Sequence, residues 1–172
     1  LSTGIAFTLL IAAYVWSELQ VNASLKNADQ QYIIQSKWKE ANQGYEIASL
    51  GPLAKALRES YPDLVANYYR FDGITSNISK NNKSFRENIA VGDSTLLGMY
   101  GFGLLHGDAK TALDDPFSLV LTADKAIKYF GKTDVVGQTL TVENFSGSKH
   151  NFMITGVLNK FSKNSVIQLS ED

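Results

Sequence analysis

An uncharged apolar stretch at the start of the chain, residues 1–16, constrains the fold more than any other feature. It reads LSTGIAFTLLIAAYVW, and Glu18 is the first charged residue after it. A membrane helix needs about 20 apolar residues and is often bordered by Tyr and Trp, as by Tyr14 and Trp16 here. We expect residues 1–29 to be the end of a transmembrane helix and a stalk, with the rest of the span preceding Leu1. A secretory-signal remnant and a buried helix of a soluble domain stay open as alternatives.

The composition excludes several classes of protein. The 172 residues are 44% hydrophobic and 19% charged, which is typical of a globular domain and not of a disordered chain. The formal net charge of −1 lacks the basic surplus with which proteins bind nucleic acid phosphates. The absence of cysteine excludes disulfides, thiol catalysis and cysteine-bound metal.

Residues 30–73 are predicted to form a first subdomain of strand, helix and strand. Tyr32, Ile34 and Trp38 share one face of a strand over residues 31–38. A short amphipathic helix follows Pro52 and ends before Pro62, and a second strand covers residues 64–71. The pair Asp72-Gly73 is predicted to be a turn.

Residues 74–160 are predicted to form an inserted, strand-rich subdomain. Strands are expected over residues 88–92, 117–121, 138–143 and 151–158, with short helices over residues 94–100 and 123–130. Thr122 is the expected cap of the second helix, and Gly131 its C-terminal glycine. The predicted fold class is therefore α+β with two subdomains, in which residues 161–172 return to the first.

A search for chemistry yields structural explanations instead of a site. His106 and Asp108 form an H-x-D pair and His150 stands alone, which is too few ligands for a metal. Turn formation before Pro116 explains Asp114-Asp115, and the helix dipole explains Asp124. Met99 and Tyr100 are expected in the core.

Glycines Gly107, Gly131 and Gly137 are predicted at turns or caps with positive φ. No phosphate-binding G-x-x-x-x-G-K-[ST] loop occurs. We therefore predict no enzyme activity, no cofactor and no metal, and we nominate no catalytic or ligand-binding residue.

Several short blocks follow one another within residues 101–160. They are residues 102–108, Ala112-Leu113 with Pro116, residues 118–122, Ala126 with Tyr129-Phe130-Gly131, Val136-Gly137-Gln138 and residues 152–157. In their order and spacing, these blocks resemble the extracytoplasmic core domain of MacB-like permeases. Residues 14–18, residues 26–29 and Tyr32 resemble the exit from the first membrane helix of the same family. Residues 74–86 match nothing in it, Leu96-Leu97 replaces its paired aromatics, and Val166 follows the matching Asn164-Ser165 where a His is common.

The resemblance implies a MacB/FtsX-like permease subunit of an ABC transporter in the bacterial cytoplasmic membrane, with this domain on the periplasmic or extracellular side. It implies a cytoplasmic ATP-binding subunit or domain that hydrolyses ATP, and a homo- or heterodimer of permeases. Adaptor proteins, cell-wall hydrolases, peptides and lipoproteins are the partners or cargo it suggests. The continuous helix over residues 1–28 would transmit ATP-driven movement to the domain.

Other functions fit the same sequence. An extracytoplasmic sensory domain tethered to a signalling protein is the main alternative, and an enclosed polar-lined pocket would favour it. A membrane-anchored enzyme and a secreted binding protein are the remaining alternatives.

Overall fold

The computed structural model describes residues 2–40 and 44–160. The helices are α1 (Ser2–Leu19), α2 (Leu53–Ser60), α3 (Leu96–Tyr100) and α4 (Ala123–Phe130), with a single 3₁₀ turn at Ala28–Gln30. The strands are β1 (Phe71–Lys80), β2 (Lys83–Gly92), β3 (Leu104–Gly107), β4 (Ser118–Thr122), β5 (Thr139–Glu143) and β6 (Lys149–Leu158). The predicted α+β class is confirmed.

Six strands form one mixed sheet. Strand β6 lies at its centre: the first half pairs antiparallel with β5, the second half antiparallel with β3, and its other edge pairs parallel with β4. Strand β1 joins β5 to β2, so the sheet begins at β2 and ends at β4. Among the described residues, neither end strand has a second partner.

The β1–β2 hairpin pairs without a break from Phe71↔Gly92 to Lys80↔Lys83. Its two-residue turn is Asn81-Asn82, where Asn81 has a φ of 52°. The predicted turn at Asp72-Gly73 is therefore wrong, because both residues lie inside β1. The asparagine pair was the better turn signal, since Asn tolerates left-handed backbone.

The main core lies between the sheet and α4. Ala126 and Tyr129 of α4 pack on Leu140 of β5 and on Ile154 and Val157 of β6, and all five are at most 4% exposed. As predicted, the Thr122 hydroxyl caps α4 by accepting from Lys125 N, and Gly131 ends it with a φ of 74°. Gly107 also has a positive φ, and a Cβ there would lie 2.3 Å from the Thr155 carbonyl oxygen.

The first predicted subdomain is only partly formed. Helix α2 is present, but among the described residues no strand forms over residues 31–38 or 64–70. Those two predictions are wrong because a strand needs a neighbour to satisfy its backbone N–H and C=O groups. The predicted return segment, residues 161–172, lies outside the described residues, so the subdomain boundaries remain a prediction.

Helix α1 is 18 residues long, which corresponds to a length of about 27 Å. Every residue from 3 to 20 is exposed, including Phe7, Leu10 and Trp16 at 68% each. In the part of the chain that the structure describes, no helix combines the length and hydropathy that crossing a bilayer requires.

Candidate functional site

The junction between α1 and the domain is the candidate functional site, and we define it as residues 20–31. The predicted continuous helix to residue 28 is wrong: α1 ends at Leu19, and the chain then turns twice. Asn22 and Asn27 hold the turns, with φ values of 63° and 53°. Asparagine adopts this left-handed backbone more readily than other non-glycine residues, which explains why the helix stops here.

Leu25 anchors the junction in the domain. Its side chain is 8% exposed and packs in a second core with Leu97, Phe102, Ala112 and Leu158. These partners come from three separate parts of the sequence, so Leu25 contacts the folded domain and not a local turn. Burying one leucine contributes about 1.5–3 kcal/mol relative to leaving it in water.

Hydrogen bonds fix the position of this leucine. Lys26 N donates to the Tyr100 carbonyl oxygen at 3.0 Å. Gln31 Nε2 donates to the carbonyl oxygens of Lys26 at 2.7 Å and Met99 at 3.4 Å. The junction is thereby tied to the last turn of α3 by one backbone and one side-chain donor.

Gly101 allows this close approach. It ends α3 with a φ of 74°, and a Cβ at this position would lie 2.8 Å from the Lys26 Cβ. A side chain would therefore meet both backbone strain and the junction itself. Sequence reasoning did not single out Gly101, although its place after an apolar run is a signal for a helix end.

Aromatic rings connect the junction to the start of the hairpin. Tyr100 lies edge-to-face on Tyr69 at 5.7 Å between centroids, and tilted on Phe102 at the same distance. Tyr69 in turn stacks on Phe71 at 6.0 Å. Burial, with Tyr100 and Asp93 nearby, raises the pKa of Tyr69 to about 12, so this ring stays neutral in the physiological range.

An ion pair holds the preceding segment to the sheet. The Arg70 guanidinium donates to both carboxylate oxygens of Asp93, at 2.9 and 2.6 Å, and to the Gly51 carbonyl oxygen at 2.8 Å. The hydrogen bonds from Arg70 hold the pKa of Asp93 below its ordinary value. This paired contact fixes the chain between α2 and β1 against the end of β2.

A second polar cluster is built around a buried carboxylate under α4. Glu87 of β2 is 3% exposed and accepts from Lys128 Nζ at 2.7 Å, from Tyr129 Oη at 3.2 Å and from Lys125 Nζ. Burial alone would raise the pKa of Glu87, but the hydrogen bonds from both lysines outweigh it and lower the pKa. The cluster joins α4 to the hairpin, and no local sequence pattern indicates it, because its members lie about 40 residues apart.

The residues weighed for chemistry stay apart. His106 Nε2 lies 3.2 Å from the Thr133 hydroxyl, and the exposed His150 ring lies 5.9 Å from the ring of Phe117. Asp108 and Asp115 each accept from the backbone N–H two residues on, as turn formation predicts. Across residues 2–40 and 44–160, no group of three or more His, Asp or Glu side chains is placed to bind a metal.

The remaining predicted positions follow local structure. As predicted, Asp124 lies in the first turn of α4, where its negative charge faces the positive end of the helix dipole. Tyr100 is half-buried beside the second core, and Met99 is half-buried in the same helix. Gly137 has a φ of 84° and donates to the Ile154 carbonyl oxygen at 2.8 Å.

Three solved structures are similar to this chain. A domain of a candidate permease protein from Porphyromonas gingivalis is 28% identical with a TM-score of 0.47, over 58% of this chain and 41% of that one. The extracellular domain of the ABC-type transporter YknZ from Gram-positive bacteria is 14% identical with a TM-score of 0.49, over 62% and 55%. The periplasmic region of MacB from Actinobacillus actinomycetemcomitans is 18% identical with a TM-score of 0.42, over 52% and 42%.

Two of these structures are extracytoplasmic domains of transporters and the third is a domain of a permease protein, the kind of domain that the motifs resemble. The chain spans only 41% to 55% of their own length. No family model and no curated protein matches the chain. With TM-scores of 0.42 to 0.49, the likenesses do not define what this chain moves or binds.

Proposed function

We propose that this chain is the extracytoplasmic part of an ABC transporter permease subunit in the bacterial cytoplasmic membrane. It couples ATP-driven movement of membrane helices to export or to a periplasmic partner. A cytoplasmic ATP-binding subunit or domain hydrolyses the ATP, and two permease subunits associate. The motif order in residues 101–160 and the described α+β fold support this assignment.

The junction is the observation that carries the proposal. An apolar helix exposed on every side requires an apolar environment, and α1 has that character from Ile5 to Trp16. The chain that leaves α1 inserts Leu25 into the second core within six residues. A displacement of α1 therefore reaches α3 through packed side chains and hydrogen bonds, and a continuous stalk helix is not required.

The proposal also includes a division of the chain into a membrane attachment and two subdomains. Residues 30–73 and 161–172 form one subdomain, residues 74–160 the other, and residues 1–29 the membrane attachment. The junction contacts residues 97–112 of the second, so the sheet-bearing part receives the movement first.

Cysteine labelling tests both the location and the coupling, because the chain contains no cysteine of its own. Asn82→Cys, at the hairpin turn, should react with a membrane-impermeant maleimide in intact cells stripped of any outer membrane. Ser24→Cys, exposed at the junction, should change its labelling rate when a non-hydrolysable ATP analogue is added to membrane vesicles with the complete transporter. Labelling of Asn82→Cys only after lysis would contradict the location, and an unchanged Ser24→Cys rate would contradict the coupling.

The sensory alternative lacks its supporting observation in the described residues. The cleft beside β2 and β4 is open and lined chiefly by apolar side chains such as Ile89, Leu119 and Phe152. An enclosed polar-lined pocket would be the expected feature of a small-molecule sensor.

A further inference from the structure

The two end strands of the sheet border one cleft. The cleft has a volume of about 580 Å³, and its lining includes residues 87–93 of β2 and the chain after it, and residues 118–122 of β4. Among the described residues, β2 pairs only with β1 and β4 pairs only with β6, so each of them ends the sheet. The sheet therefore curls so far that its first and last strands face the same opening, as in a barrel that lacks a closing strand.

The strand edges themselves face this opening. Side chains alternate between the two faces of a strand, so a cleft against one face is lined by every second residue. Here every successive residue from Glu87 to Asp93 and from Ser118 to Thr122 lines the cleft. Both edges lack a strand partner among the described residues, which leaves backbone donors and acceptors for pairing, although Ser118 N already donates to the Asp115 carbonyl oxygen.

One carboxylate of the cleft has no ion-pair partner. Glu87 pairs with two lysines, Lys125 and Lys128, and Asp93 pairs with Arg70. Asp115, beside β4, takes part in none of the ion pairs of the described residues. The charges of these groups sum to zero, but the unpaired carboxylate of Asp115 favours a Lys or Arg at the end of an occupant that reaches it.

We propose that this cleft binds an extended segment of a partner polypeptide, which adds as a strand between β2 and β4. The segment carries alternating apolar side chains for the cleft and a Lys or Arg at the end that reaches Asp115. Strand edges demand a main chain as partner, because only a polypeptide offers donors and acceptors at the matching spacing. This site does not depend on the transporter assignment.

The test uses the complete 172-residue chain in mild detergent and fluorescent peptides. The probe is KVTVTVK, with EVTVTVE as the charge-reversed peptide and KVTVTVK N-methylated at its central residues as the pairing-deficient peptide. We expect KVTVTVK to bind and N-methylation to weaken binding at least about tenfold, because several backbone hydrogen bonds are lost. We expect EVTVTVE to bind more weakly than KVTVTVK.

A matched pair of variants tests the charge. Asp115→Asn keeps the turn, because the asparagine oxygen can accept from Phe117 N as the aspartate does at 2.7 Å. It should weaken KVTVTVK binding about two- to fivefold, the size of an exposed ion pair, and should not weaken EVTVTVE binding. Asp108→Asn is the control, since Asp108 makes the same turn with Lys110 N at 2.9 Å but does not line the cleft.

Four outcomes would overturn the proposal. If the N-methylated peptide bound as tightly as KVTVTVK, the peptide would be held by apolar contacts and not by strand pairing. Binding that appears only after truncation behind Lys160 would assign the cleft to residues 161–172 of this chain. A dimer that the peptide dissociates, seen by sedimentation, would assign it to a second copy. No binding to either form of the chain would remove the site altogether.

Discussion

Residues 31–70, the outer segment, and residues 71–158, the sheet region, are both rich in large apolar side chains but use them differently. The sheet region buries Leu140, Ile154 and Val157 to at most 1% exposure. In the outer segment none of the described residues is buried, and Tyr32 and Leu64 are more than 80% exposed. Apolar content alone therefore does not build a core; the strands need partners that hold them in register.

The contrast also explains how the outer segment is attached. The Arg70–Asp93 ion pair and the aromatic contacts of Tyr69 join its end to the sheet region. The junction after α1 bypasses the outer segment and enters the second core directly through Leu25. Leu25 thereby joins the chain that leaves α1 to a packed core of the sheet region.

The two regions should differ most in how much unfolding free energy is lost when a leucine is replaced by alanine. Leu140→Ala should lower the free energy of unfolding by about 2–5 kcal/mol, because it leaves a cavity under α4. Leu64→Ala, the same change at an 82% exposed site, should alter it by no more than about 0.5 kcal/mol. Urea unfolding followed by circular dichroism measures both, and similar losses would contradict the division into the two regions.

The ion pairs of Glu87 with its two lysines should contribute more to stability than the ion pair of Asp93 with Arg70. Glu87→Gln should cost about 1.5–3 kcal/mol of unfolding free energy, because two lysine ammonium groups lose a buried charged acceptor. Asp93→Asn should cost less, because Arg70 lies in solvent. A larger loss for Asp93→Asn would reverse the comparison.

The contribution of Glu87 should also depend on pH. Its folded pKa is lowered, so its stabilisation is present above the unfolded value of about 4.3 and is lost as pH falls through the folded pKa. The difference in unfolding free energy between wild type and Glu87→Gln should therefore shrink in acid. A difference that grows on acidification would show that the carboxylate is not held in its charged form.

Leucine truncation at the junction should have a local effect. Leu25→Ala should cost about 2 kcal/mol, the low end for a buried leucine, and should speed exchange of the Lys26 amide, which donates to Tyr100. Leu19→Ala removes the same atoms from a 72% exposed position and should leave that amide unchanged. Hydrogen exchange with mass spectrometry measures the exchange rate at Lys26 in both variants. Equal rates would mean that Leu25 does not anchor the junction.

The smallest expected contrast concerns two glycines. Gly131→Ala should cost about 1 kcal/mol, because a φ of 74° strains alanine even though a Cβ would meet nothing within 4 Å. Gly51→Ala meets no neighbour and needs no positive φ, so its effect should be within about 0.5 kcal/mol. Thermal unfolding of the two variants measures the difference in stability. An unchanged stability of Gly131→Ala would show that the end of α4 accommodates alanine without strain.

Local signals predicted the sheet region better than the outer segment. Thr122 and Gly131 fix both ends of α4 within the sequence itself, and the apolar alternation before Leu158 identifies β6. The strands expected at residues 31–38 and 64–71 carry similar alternation, but strand formation depends on a partner that the pattern does not encode. Of the long β1–β2 hairpin, sequence reasoning predicted only a strand over residues 88–92, because it placed the turn at Asp72-Gly73 and not at Asn81.

The candidate site was least accessible to sequence reasoning. Leu25 and Phe102 are distant in sequence, and only the fold brings them into one core. The turn residues Asn22 and Asn27 are signals that can end a helix. The apolar spacing of Leu19, Leu25 and Ala28 nevertheless suggested a continuing helix. Long-range packing therefore overrode local periodicity at the position on which the proposed coupling depends.

Distance measurement between α1 and α4 tests the central claim most directly. Spin labels on Glu18→Cys and Lys132→Cys, in the complete transporter with its ATP-binding subunit, report their separation by pulsed electron resonance. We predict one narrow distance distribution that shifts little with an ATP analogue, because Leu25 makes α1 and the sheet region move together, and a broad distribution in Leu25→Ser. A distribution that is equally narrow in Leu25→Ser, or broad in the unaltered junction, would contradict coupling through this contact.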